Sequence, residues 1–147
     1  MPPMDFKSPG RGAAADLKQA YRDRLMDAKC LLKAGRHGAA VTMATYAIEI
    51  VLKCRICRLL AEPALPRPFE IHDLEGLLVA AGLRQELNKP QHIAVKKSWQ
   101  SIVEIAKNIV NFRYQPDRSV PAATARDFIK KLTGRSDGVI PWIERFL

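Results

Sequence analysis

The chain has 147 residues, of which 48% are hydrophobic and 27% charged, and a net charge of +9. That length fits one domain able to bury roughly two thirds of its extended surface, and the composition excludes general disorder. The basic excess is scattered without a dense run, so it fits nucleic-acid, nucleotide or anionic-lipid partners and equally a solvated basic surface.

Residues 1–12 are rich in Pro and Gly and read as a flexible tail without the apolar core of a signal peptide. A domain of residues 13–147 follows. The longest apolar run, residues 39–52, is too short to span a bilayer and contains Glu49. Three cysteines, an odd count, fit a reducing compartment. The expectation is a cytoplasmic protein with no membrane association.

A first helix is predicted over residues 13–34, with Leu17, Tyr21, Leu25, Ala28 and Leu32 as its apolar stripe and Gly35 as its stop. A second helix, residues 37–61, starts at once, and so short a connection makes the two antiparallel neighbours. Over residues 39–52 this helix is apolar nearly all round. Only Thr42, Thr45, Tyr46 and Glu49 interrupt it, and these share one stripe. Such a helix needs cover on several sides, from a central position in the bundle or from a subunit interface.

Pro63, Pro66 and Pro68 mark a loop, and His72-Asp73-Leu74 opens a short helix through residue 81. A third long helix is predicted over residues 93–112. After a loop at 115–120, Pro121 sits in the first turn of a fourth helix whose inner face is Ala125, Phe128, Ile129 and Leu132. Gly134 and Gly138 break that helix, and residues 139–147 resume the pattern. No segment shows sustained strand alternation. The fold class is all-α: an up-and-down four-helix bundle with a short extra helix between the second and third and a broken last helix.

Cys54-Arg55-Ile56-Cys57 is formally a Cys-x-x-Cys, but it lies inside a helix rather than at the strand-to-helix turn that redox use requires. Cys30 is too far along the bundle to join it around a metal. His37, His72 and His92 share no metal-ligand spacing, and His72-Asp73 reads as a helix-start device. The pairs Lys96-Lys97 and Lys130-Lys131 read as solvated surface. Neither a Gly-rich phosphate loop nor a Gly-x-Ser-x-Gly elbow occurs. No cofactor or metal is expected.

The most informative stretch is residues 99–116. Trp99, Ile102, Ala106 and Ile109 follow the spacing of one helical face, and the next step is Arg113. A guanidinium is thereby predicted on, or at the edge of, the inward face, where it needs a partner. Such an arginine can serve the helix end, pair with a carboxylate such as Glu49, or bind an anion. Glu49 has its own alternative in Lys53, four residues on.

The run from Ala39 to Lys53, then His72-Asp73-Leu74-Glu75-Gly76-Leu77-Leu78, Phe112-Arg113-Tyr114 and Val139-Ile140-Pro141-Trp142-Ile143, resembles the HEPN domain family in order and spacing. The resemblance implies a four- or five-helix bundle, typically homodimeric, with a polar site near the junction of its third and fourth helices. Many members of that family are metal-independent RNA endonucleases, or toxins of toxin–antitoxin pairs matched with a minimal nucleotidyltransferase. Others bind nucleotides or proteins without catalysis. The nucleases carry an arginine followed, after four to six residues, by a histidine. Arg113 fits the arginine, but residues 118–120 are Arg118, Ser119 and Val120. Arginine cannot supply the group titrating near neutrality that acid–base cleavage needs.

The resulting expectation is a non-catalytic, homodimeric HEPN-like module that associates with a nucleotidyltransferase-type protein, a nucleotide or RNA. Its expected groove residues are Arg113, Tyr114, Arg118 and Glu49. The alternatives are a toxin-type ribonuclease using Arg113 with an unusual second group (Tyr114, Arg118 or Ser119), and a purely structural helical protein.

Overall fold

Helix α1, Ala14–Lys33, is the first long element of the computed structural model, which describes residues 12–147. Apart from Gly12, the predicted tail therefore lies outside the described residues. Tyr21 and Ala28 of the predicted stripe are buried, and Leu17, Leu25 and Leu32 are partly buried against the core. Gly35 adopts φ 75°. Its N–H bonds the Leu32 carbonyl at 3.1 Å, and the Arg36 N–H bonds that of Leu31 at 2.9 Å. This paired closure of a helix end uses the left-handed backbone that glycine adopts without strain.

Helix α2, His37–Leu60, returns antiparallel to α1. The start of α1 meets the end of α2, where the Ala14 N–H donates to the Pro63 carbonyl at 2.8 Å. The remaining helices are α3 (Leu74–Ala80), α4 (Arg84–Leu87), α5 (Ile93–Ala106), α6 (Ile109–Phe112), α7 (Ala122–Thr133) and α8 (Val139–Glu144). The architecture is an all-α bundle.

α2 is its centre, in contact with α1, α3, α5, α6, α7 and α8. Ala40, Val41, Ala44, Ala47, Ile48, Val51, Leu52 and Ile56 are fully buried. Each Val, Leu or Ile among them contributes about 1.5–3 kcal/mol. Of the two ways to cover a helix apolar all round, the fold uses the central position. The circumference that pointed to a second copy is occupied by the chain's own helices.

One predicted element differs. The third long helix, residues 93–112, is not continuous but breaks at Lys107–Asn108. There the Asn108 N–H takes the carbonyl of Ile105, three residues back, at 3.0 Å, and its side-chain amide takes that of Glu104 at 3.4 Å. A local side-chain bond thus competes with the helical ladder. The break also carries the stripe out of the core: Trp99 and Ile102 are buried, Ala106 and Ile109 half-buried, and Arg113 exposed. The inward arginine predicted from periodicity is therefore a surface residue.

The broken last helix is present. α7 buries Ala125, Phe128, Ile129 and Leu132, and α8 buries Val139, Ile140, Trp142 and Ile143. Gly138 makes the corner between them. A Cβ there would lie 2.6 Å from the Gly134 amide nitrogen and overlap the Gly134 carbonyl, so only glycine fits. Within the described residues, no helix is long and apolar enough to cross a membrane.

Candidate binding groove

Thr42, Thr45, Tyr46 and Glu49, the polar stripe of α2, do not turn into the apolar core. Together with residues of the α5–α6 limb they line a groove of about 700 Å³. Val103, Ala106, Val110 and Phe112 supply its opposite, apolar wall, and Lys107 and Arg113 supply its cations. A volume of this order suits a small ligand or a short polymer segment.

The two ends differ. At the N-terminus of α2 the helix lacks a local cap, because Arg36 occupies that position and the first turn carries no acid. The cap comes from far along the chain. Asp117, in the 3₁₀ turn Asp117–Ser119, accepts the Ala39 N–H at 2.9 Å and pairs with Arg36 Nε at 2.8 Å. His37 Nδ1 lies 3.1 Å from the Val120 carbonyl of the same turn. These bonds hold the chain just after Arg113 against the first turn of α2.

At the other end Glu49 is buried, with Oε1 2.6 Å from Lys53 Nζ and 2.9 Å from His72 Nδ1. Lys53 is equally buried, so each formal charge has the partner that burial demands. His72 precedes α3. Its neighbour Asp73 caps that helix by accepting the Gly76 N–H at 2.8 Å, so the helix-start reading holds for Asp73. His72 itself is turned to Glu49. Glu75, also on the groove, accepts the Trp99 indole N–H at 2.8 Å and pairs with Arg84.

Of the expected groove residues, Arg113 and Glu49 both line the cavity. Ala39 and Glu49 are ten residues apart on α2, roughly 15 Å at the helical rise. Arg113 makes no ion pair within the described residues, and Glu49 pairs instead with Lys53 and His72, both through Oε1. The expected alternative pairing of Arg113 with Glu49 is therefore not formed. Tyr114, 80% exposed, and Arg118, also exposed, lie outside the lining. Ser119 is exposed as well.

Sequence reasoning missed His72, Lys107 and Asp117 as groove residues. A signal existed for Asp117: a helix opening on Arg-His-Gly with no Ser, Thr, Asp or Asn before it asks for a cap from elsewhere. Nothing in the spacing joins His72 to Glu49.

The Cys-x-x-Cys behaves as packing. Cys54 and Cys57 are buried, and burial, then the neighbouring Cys57, pushes the Cys54 thiol up to about 12. Burial raises Cys57 as well. Within the described residues, no three His, Cys, Asp or Glu side chains are grouped to hold a metal ion. Arg55, between the cysteines, ties the bundle together through the carbonyls of Ala81 at 3.3 Å and Phe146 at 2.8 Å.

Fold and groove define an all-α bundle with a ligand-sized cleft along its central helix. No family model, curated protein or solved structure matches the chain.

Proposed function

We propose that this chain is a HEPN-like helical binding module whose groove takes a nucleotide or a short RNA segment, with Arg113 as the anion-binding residue. The observation that carries this reading is the uneven pairing of charge in the groove. Glu49, Asp73, Glu75 and Asp117 each already accept a hydrogen bond or ion pair from the chain itself. Lys107 has Glu104. Arg113 lines the groove without an acidic partner among the described residues, and guanidinium is suited to phosphate. The apolar wall beside it offers a surface for a base or ribose, and the net charge of +9 favours encounter with anions.

Cleavage of RNA has one observation in its favour, an imidazole (His72) on the same groove as Arg113. Binding is the better supported reading. Acid–base catalysis needs both groups within reach of one reacting centre, whereas His72 belongs to the Glu49 end and Arg113 to the chain just before the Asp117 cap. The nucleotidyltransferase-type partner and the homodimer implied by the resemblance belong to the same reading.

The test is titration of the purified chain with a fluorescent mononucleotide and a short single-stranded RNA over a range of salt. The expected result is salt-dependent binding that Arg113→Ala weakens about tenfold or more, with the salt slope reduced by about one and the helical circular dichroism unchanged. Absence of binding by the parent chain, or an Arg113→Ala variant that binds equally well, overturns the reading. Sedimentation of the same samples reports whether binding requires a dimer.

A further inference from the structure

We infer that the Glu49 end of the groove is a base-recognition subsite, selective for guanine over the other nucleobases. The inference rests on the nucleotide-binding reading and deepens it. Glu49 is 8% exposed, so its carboxylate is held rather than free to swing. Both of its internal partners, Lys53 Nζ and His72 Nδ1, bond the same oxygen, Oε1. The other oxygen, Oε2, accepts no hydrogen bond from the described residues. It is also not one of the buried polar atoms cut off from solvent without a partner. Since Glu49 lines the groove, Oε2 presents its lone pairs there as a fixed, anionic acceptor.

An ionised carboxylate accepts and cannot donate. With Oε1 occupied, the two lone pairs of Oε2 are complemented by a pair of adjacent donors, and only guanine has one on its Watson–Crick edge, the N1–H and the 2-amino group. Adenine and cytosine place an acceptor nitrogen beside their amino group, and uracil flanks its single N–H with two carbonyls. Each of these sets a lone pair against the carboxylate. The position along the groove fits the same ligand. Glu49 and the Asp117-capped first turn of α2, which the chain reaches just after Arg113, are roughly 15 Å apart at the helical rise, room for a base at one pole and a phosphate towards the other. Tyr46 and the apolar wall lie between them, where a base or sugar stacks without demanding hydrogen bonds.

The experiment is a calorimetric or fluorescence-competition series of GMP, IMP, AMP and UMP against the intact chain, with Glu49→Gln and Arg113→Ala beside it. IMP differs from GMP only by the missing 2-amino group, so it tests the subsite without touching the protein. The expected result is GMP binding about tenfold or more tighter than IMP, since a hydrogen bond to a charged group is lost, and tighter again than AMP or UMP. Glu49→Gln should bring the four nucleotides within about threefold of one another. Arg113→Ala should weaken all four while leaving the GMP-to-IMP ratio in place. Equal affinity for all four nucleotides overturns the guanine inference and leaves nucleotide binding standing; no binding of any overturns both. If Glu49→Gln fails to fold with Lys53 left unpaired, the GMP-to-IMP ratio of the parent chain decides alone.

Discussion

At Glu49 and Lys53 the central helix buries two formal charges that meet at 2.6 Å. One residue further on, at Cys54 and Cys57, it buries two thiols without a charged partner. The first pair stays polar because each member supplies what the other lost on leaving water. The second pair stays neutral, because burial penalises the thiolate and moves its titration upward. The surroundings follow the same division. Glu49 opens onto the large groove with His72 and Tyr46, whereas the cysteines sit under a cleft edged by Ala14, Lys18, Arg58 and Leu147. Adjacent turns of one helix thus make a groove-lining ion pair and a packing pair, and the difference lies in pairing rather than in depth.

The largest effect should come from unpairing the charges. Lys53→Met removes the ammonium and leaves the Glu49 carboxylate buried with only the exposed His72 beside it. Breaking one side of a buried pair costs about 3–5 kcal/mol. Urea unfolding at pH 7 should show a loss of that order, and the double variant Lys53→Met with Glu49→Leu should recover most of it. A single variant as stable as the parent would mean that the pair is solvated rather than buried, and the contrast with the cysteines would collapse.

The thiols give the next effect, and its sign is fixed. Cys54 titrates at about 12 in the folded chain against an ordinary value of 9.0. Its contribution to stability is therefore fully present below pH 9 and is lost as the pH rises from 9 towards 12. Burial raises Tyr21 as well, so it adds to the same alkaline decline. Cys54→Ala should flatten part of the fall in unfolding free energy between pH 9 and 11 and leave the Tyr21 share. An unchanged slope in that variant would show that the thiol ionises no later in the folded chain than in the unfolded one.

These two pairs also mark how far the sequence could be read. Long-period features were legible: the antiparallel first pair, the all-round apolar second helix, the break at Gly134 and Gly138, and the polar stripe Thr42, Thr45, Tyr46 and Glu49. Each follows from a local signal: spacing within one helix, a short connection, or a glycine that ends a helix. The Glu49–Lys53 pair was legible for the same reason, at four residues' separation. What spacing could not supply were contacts between distant segments. Asp117 caps a helix that starts 80 residues earlier in the chain, and His72 meets Glu49 across 23 residues. The break at Asn108 was also hidden. Asparagine within a helical pattern does not say whether its side chain will point outward or take a backbone carbonyl, and that choice moved Arg113 from the core edge to the groove.

The smallest effect sharpens the comparison at the end of α2, just beyond the cysteines. There Ala61 adopts φ 54°, the one non-glycine residue with positive φ among those described, in a closure where the Glu62 N–H bonds the Cys57 carbonyl at 3.0 Å. α1 uses Gly35 for the same turn. An alanine Cβ in that conformation costs about 1 kcal/mol relative to glycine, partly offset by the greater freedom glycine brings to the unfolded chain. Ala61→Gly should therefore raise the unfolding free energy by a few tenths to about 1 kcal/mol, with the alkaline slope assigned to Cys54 unchanged. If it also altered that slope, the packing around the thiols would depend on the strained closure. A destabilised variant would show that Ala61, though exposed, contributes contacts that outweigh its backbone strain.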